Sequence, residues 1–355
     1  MSRWRVVHAL LAKEWQKNRG YFLVTAVLVI YGPVLQSLYY LLQGQDAARG
    51  WGQQLAYMLS FQYMVMGPSP FSSNTLYLLG VAAAILLGAL LLGEERKGSL
   101  TYLLTTPVGR REIVLTKFLF GTGALLLAMA INLLFLSAIS GSLGLDLGPM
   151  TLIRWGLLMS LSLVGLFTLS FFASTFTSGP LPAAGLSFIL IYLPAMLAAM
   201  VENIAARYYH VSETFSINAQ YVQRYLTIPA YLTGEHWFTI QHVDHHFDWR
   251  MTGVSMVSSA QPPNLGLESG ILLLFIAAVV GFAVIVFEHL SLEEQGTFFA
   301  SHRSRQIFLV LGGLLIGYLT IFPSCTTLPT LLAGLGVIII STLGLFEWLP
   351  HRLRR

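Results

Sequence analysis

Residues 93–118 read GEERKGSLTYLLTTPVGRREIVLTKF, with five basic and three acidic side chains packed between the apolar runs Leu76–Gly93 and Leu119–Ile139. Neither run contains Asp, Glu, Lys or Arg, and each is about as long as the roughly 20 apolar residues that a helix needs to cross a bilayer. The same kind of block recurs along the chain, at Tyr21–Leu42, Gly156–Phe176, Leu181–Val201, Ile271–Phe287, Ile307–Phe322 and Leu328–Phe346. Only 10% of the 355 residues are charged and 55% are hydrophobic, against roughly 25% charged in a soluble domain. Continuous apolar blocks favour helices over a barrel, because lipid leaves no partner for an unpaired backbone group. The expected fold is therefore an all-α integral membrane protein of about eight transmembrane helices. The short sixth and seventh blocks leave seven or nine crossings open, and Pro33, Pro182 and Pro194 are expected to kink their helices.

Charge placement sets the expected topology. With eight crossings, Arg3, Arg5, Lys13, Lys17, Arg19, Arg96, Lys97, Arg110, Arg111, Lys117, Arg303, Arg305, Arg352, Arg354 and Arg355 share one side, 15 of the 20 Lys and Arg. The positive-inside bias makes that side cytoplasmic, with both termini there, in a multi-pass protein of the cell membrane. The net charge of +4 is thus a topology signal and points to no nucleic acid. A single cysteine, Cys325, excludes an internal disulfide framework. The first apolar block is longer than an ordinary signal-peptide core and is expected to be retained.

Four regions follow. Residues 1–20 place Trp4, Val7, Leu11 and Trp15 on one helical stripe and Arg5, Lys13 and Gln16 on the other side, as in an amphipathic helix at the cytoplasmic interface, although Glu14 borders the apolar stripe. An ordinary basic cap on the first span is the simpler alternative. Residues 21–201 hold spans one to five, with residues 43–75 expected to be irregular outer surface and tight turns at 141–149 and 174–180. Residues 202–268 form the larger extracytoplasmic segment, in which 208–226 suggests helix. Residues 269–355 carry the last three spans and a second cytoplasmic interval at 288–306.

The opening stretch has its own internal logic. Gly98 and Ser99 permit a tight turn, Leu100, Leu103 and Leu104 form an apolar ridge over barely two helical turns, and Pro107 stops the helix. Such a ridge is buried either in the lipid interface or in the hydrophobic groove of a cytoplasmic partner. The spacing E-x-x-x-G-[ST]-L-x-x-L-L-x-x-P-x-x-R-x-x-[IV]-x-x-x-K, met here by Glu94, Gly98, Ser99, Leu100, Leu103, Leu104, Pro107, Arg110, Ile113 and Lys117, resembles that of ABC-2-type transporter permeases. The N-terminal helix is similar to that family's elbow helix. EHLSLEEQGTFFA, from residue 288, resembles an acidic, glycine-bearing interval of Gram-positive members, with Glu294 and Gly296 as a second contact, but lacks the basic residues expected just before Glu294.

The resemblance implies a transmembrane subunit paired with a second copy or a homologous permease. A separate ABC ATPase subunit would supply ATP and Mg and receive a coupling segment at 94–112, with Glu94, Gly98, Ser99, Leu100, Leu103, Leu104, Pro107, Arg110 and Arg111 in contact. It also implies export, with antimicrobial or envelope-directed compounds as the substrate class and antibiotic resistance as a role. Consistent with that division, the chain has no G-x-x-x-x-G-K-[ST] phosphate loop, and no cofactor of its own is expected.

A second cluster is GEHWFTIQHVDHHFDWR, residues 234–250, where His236, His242, His245 and His246 lie near Glu235, Asp244 and Asp248. The His242-x-x-His245 spacing suits a zinc or copper site, whereas the interleaved Trp237, Phe238, Phe247 and Trp249 suit an aromatic interfacial segment, which is the preferred reading and leaves no metal site assigned. Glu202, Arg207 and Arg154 stand at span ends, where charged side chains ordinarily anchor to headgroups. No nucleophile–base pair or carboxylate pair stands out within a span, so no catalytic residue is assigned. A membrane-bound metal protein and a non-transporting signalling or assembly subunit remain as alternatives.

Overall fold

The computed structural model describes residues 3–59, 75–93, 109–144, 149–177, 179–209, 211–233, 238–243, 254–258, 264–289 and 328–353, with 306, 309–310, 312–314 and 317–318 between the last two stretches. The elements in order are α1 (Arg3–Ile30), a π-turn at Tyr31–Leu35, α2 (Gln36–Gln43), α3 (Gln45–Leu59), α4 (Thr75–Gly93), α5 (Arg110–Ile139), α6 (Pro149–Phe176), α7 (Pro180–Tyr209), α8 (Glu213–Leu226), α9 (Ile228–Thr233), β1 (Phe238–Val243), β2 (Val254–Ser258), α10 (Leu265–His289) and α11 (Leu328–Leu353). Five stretches are long and apolar enough to cross a membrane: His8–Gln43, Arg110–Ile139, Pro149–Phe176, Pro180–Tyr209 and Leu265–His289. Leu78–Gly93 and Leu328–Ser341 are shorter apolar helices. These correspond to every expected block except the seventh, Ile307–Phe322, which falls largely outside the described residues. The all-α expectation thus holds for the crossing helices.

Packing follows from the distribution of small and large side chains. Helix α6 is the axis of the bundle: 78% of its most apolar stretch is buried, against 22% to 44% in the other four long spans. It can be surrounded because small residues let its neighbours approach. A side chain on Gly88 of α4 would meet the Phe167 carbonyl at 2.6 Å, and one on Gly121 of α5 would meet the Phe167 ring at 2.3 Å. Ser170 Oγ donates to the Ile85 carbonyl of α4 at 2.5 Å and accepts from Ser187 Oγ of α7 at 2.9 Å. Buried hydroxyls therefore bridge three helices with their own hydrogen bonds satisfied. On the outside Leu134, Leu274 and Ile340 are each more than 70% exposed, as suits side chains facing acyl chains.

Four local features refine or depart from the expectations above. The helix of α1 continues without a break through Gly20, so the expected interfacial helix and the first span are one continuous helix. Pro33, which has no N–H, sits in a π-turn where the Gln36 N–H reaches back five residues to the Tyr31 carbonyl, and the chain goes on as α2. Part of the expected irregular loop 43–75 is the helix α3, introduced by Gly44 at φ 116° and seated on the bundle by buried Trp51, Leu55 and Leu59. Trp51 stacks on Tyr40 at 4.9 Å and donates to Ser37 Oγ at 3.0 Å, while Gly52 lies so close to the 139–144 turn that a Cβ there would sit 1.9 Å from the Leu143 carbonyl oxygen. The segment 202–268 holds, besides helices α8 and α9, the antiparallel pair β1–β2, with Phe238 opposite Ser258 and Val243 opposite Val254.

Candidate coupling site

The polar interval of the opening motif lies between α4 and α5. Of its expected contact residues, Glu94, Gly98, Ser99, Leu100, Leu103, Leu104 and Pro107 fall outside the described residues, as do Glu294 and Gly296. The structure does describe how both ends of the interval are fixed. On the near side, Gly93 closes α4 against the start of α7: a Cβ on Gly93 would lie 2.8 Å from the Pro180 nitrogen and 3.0 Å from the Gly179 carbonyl carbon. Backbone meets backbone there, and only glycine fits.

On the far side, Gly109 is extended and opens α5, its carbonyl accepting the first helical bond from Ile113 at 3.2 Å and its N–H donating to Glu112 Oε2 at 3.3 Å. The Glu112 carboxylate also complements the positive end of the helix dipole. Arg110 Nη1 donates to the Glu288 carbonyl of α10 at 3.2 Å, and Arg111 is exposed. A cation against the terminal carbonyls of α10 satisfies groups that its own helix leaves unbonded.

Two turns into α5 lies a feature the sequence reading passed over. Lys117 is buried, and its Nζ is 3.0 Å from Glu14 Oε2 of α1, which also accepts from Asn18 Nδ2 at 2.6 Å. Glu14 therefore borders the apolar stripe for a reason: that face of α1 packs on α5 and carries Glu14 and Asn18 into a buried ion pair. The available signal was the pairing of two exceptions, an acid on an apolar face and a lone charge in the run from Ile113 to Ile139. Removing one partner of such a pair leaves an uncompensated charge and costs about 3–5 kcal/mol. Three helices are thus tied to this end of the chain, α1 through Glu14–Lys117, α7 through Gly93 and α10 through Arg110.

The opposite end of the bundle is built differently. Glu202, expected as a headgroup anchor, is buried in α7 beneath α8 and accepts from Gln220 Nε2. Helix α8 begins at Ser212, whose hydroxyl accepts from the Phe215 N–H at 3.4 Å, and lays Gln220 and Arg224 inward. Arg224 sits 5.8 Å over the Tyr221 ring. Tyr231 of α9 donates to the Tyr225 carbonyl at 3.1 Å and packs with Leu158 and Leu272. Burial, with added repulsion from nearby Glu268, raises the pKa of both Tyr225 and Tyr231 above the ordinary tyrosine value.

Of the histidine cluster, His242 lies in β1 opposite Ser255, at a register shift that follows Ile240. His236, His245 and His246 lie outside the described residues. Among the described residues no group of three or more His, Cys, Asp or Glu is placed to hold a metal.

Residues 10–194 match the family model described as ABC-2 family transporter protein. That span takes in Glu14, the whole interval 94–112 and helices α4, α5 and α6. No curated protein and no solved structure matches the chain.

Proposed function

The chain belongs to the ABC-2 family of transporter proteins, and from that premise we infer that it forms half of a translocation pathway driven by a separate ATPase subunit. It is a multi-pass membrane protein and a permease of an ABC transporter. In the proposed assembly it pairs with a second copy or a homologous permease, and each permease receives one ATPase. ATP and Mg are held by the ATPase. Glu94, Gly98, Ser99, Leu100, Leu103, Leu104, Pro107, Arg110 and Arg111 form the docking surface, with Glu294 and Gly296 as a second contact. Both termini face the cytoplasm of the cell in which the protein lies, and the substrate is an antimicrobial or envelope-related compound moved outward.

The observation that carries this reading is the family match across residues 10–194, which contains the leucine-bearing interval and both helices that flank it. The fixing of that interval at Gly93 and Arg110 supports it, because a short segment can transmit force only if its ends are held. Nucleotide-driven closure of the ATPases then shifts the interval and, through α4 and α5, switches access from one side to the other. Purification from the native host tests the partner: an ATPase subunit accompanies the parent chain, and replacing Leu103 and Leu104 by Asp releases it. Purification without any ATPase, or an ATPase still fully bound to the doubly substituted chain, overturns the assignment.

A further inference from the structure

We propose that the buried Glu14–Lys117 pair, braced by Asn18, is the joint that passes movement of α5 to α1, making these three positioning residues for transport. The inference rests on the coupling assignment above but concerns residues outside the docking surface. Lys117 lies seven residues after Arg110, about 10 Å along α5 at 1.5 Å per residue. A displacement delivered at Arg110 therefore reaches Lys117 within two turns of rigid helix. At Lys117 the contact to α1 is an ion pair held at 3.0 Å, with Lys117 only 1% exposed, and Asn18 fixes the same carboxylate oxygen at 2.6 Å.

Apolar surfaces slide past one another at small cost because one methyl contact replaces another. A buried charge has no such substitute, since moving away from its partner strands it in a low-dielectric interior. Around the pair, the α1–α5 contact consists of side chains such as Phe22 and Phe120, whose rings lie 5.8 Å apart. A second polar tie between these helices, Asn132 Nδ2 donating to the Val29 carbonyl at 3.2 Å, lies fifteen residues further along α5; the Glu14–Lys117 pair is the charged one of the two and the nearer along α5 to Arg110.

The test uses the permease purified with its ATPase, Cys325 replaced by Ser, and spin labels in pairs at exposed positions: Gln16 on α1, Leu119 on α5 and Leu181 at the start of α7. Distances are compared without nucleotide and with ATP under trapping conditions. In the parent, both the Gln16–Leu181 and the Leu119–Leu181 distances change with ATP, while Gln16–Leu119 stays constant. In E14Q the Leu119–Leu181 change persists and the Gln16–Leu181 change falls at least threefold; the charge swap E14K/K117E restores it. The inference is overturned if Gln16–Leu119 changes with ATP in the parent, if E14Q leaves the Gln16–Leu181 change intact, or if the swap, folded and ATPase-bound, restores nothing. If Leu119–Leu181 does not respond to ATP although the bound ATPase hydrolyses it, the coupling assignment itself fails and takes the joint with it.

Discussion

The two ends of the bundle each bury a carboxylate, and they treat it in opposite ways. Glu14 faces a lysine, with an asparagine on the same oxygen. Glu202, 22 residues after the α7 start that meets Gly93 and so about 33 Å away along the helix, faces a glutamine on one oxygen, while its other oxygen has no hydrogen-bond partner among the described residues. An ion pair in a low-dielectric interior is stiff and intolerant of losing either member. A carboxyl held by a neutral amide can change partner or charge state at smaller cost. Near the coupling interval α1 and α5 are therefore built to move as one block, and the far end, under α8 and α9, is built to adjust.

The largest effect that tests this contrast comes from breaking the ion pair. Glu14→Gln keeps the shape and the bond from Asn18 but removes the carboxylate charge that faces the buried Lys117 ammonium at 3.0 Å, and is expected to lower stability by about 3–5 kcal/mol. Replacing both, Glu14→Leu with Lys117→Met, removes the two charges together and is expected to recover part of that loss, since apolar residues often replace a buried pair without penalty, while the buried Asn18 amide left without its acceptor keeps about 1–3 kcal/mol of it. Unfolding in detergent, followed by loss of helical circular dichroism, measures both. A double variant as unstable as Glu14→Gln would show that the pair's worth lies elsewhere than in compensated charge.

A smaller effect separates the rigid axis from either end. Gly88→Ala sets a methyl 2.6 Å from the Phe167 carbonyl oxygen and 2.8 Å from the Phe171 nitrogen, both backbone atoms that no rotamer change can move away. Helices α4 and α6 must part, at an expected cost of about 1–3 kcal/mol. Gly123→Ala on α5, where a Cβ would meet nothing within 4 Å, serves as the control and is expected to be neutral or slightly stabilising, since alanine is the better helix former. Equal losses in the two variants would mean that the α4–α6 contact is loose.

Much of this was legible in the sequence and some was not, for identifiable reasons. Continuous apolar blocks identify crossing helices because lipid tolerates nothing else, and the interval from Glu94 to Lys117 stands out through the register of its Gly, Leu, Pro and Arg. Helix α3 was hidden because its buried face, Ala48, Trp51, Leu55 and Leu59, is interrupted by Arg49, Gly50 and Gly52, a composition that reads as loop unless a neighbouring turn supplies a surface to pack on. The continuity of α1 through Gly20 was hidden because glycine weakens a helix locally, while packing along α5 outweighs that cost. Residue-level pairing was the hardest to read. Glu14 and Lys117 are 103 positions apart, and periodicity shows that each faces inward without showing that they face each other.

The smallest expected effect is the most discriminating, because it is the same chemical change made at the other end. Glu202→Gln retains an oxygen that accepts from the Gln220 amide and removes a buried negative charge, while adding an NH2 group that must find its own acceptor beneath α8. Lost charge burial and the new donor oppose each other, so the net change is expected to stay within about 1 kcal/mol, several-fold less than for Glu14→Gln. Glu202→Leu, by contrast, strands the Gln220 donor and is expected to cost about 1–3 kcal/mol, the price of a buried polar group left unpaired. The comparison is read in one denaturation series with Glu14→Gln alongside. If Glu202→Gln destabilises as strongly as Glu14→Gln, a cation must neutralise Glu202 in the folded protein, and the far end would be locked by charge just as the coupling end is.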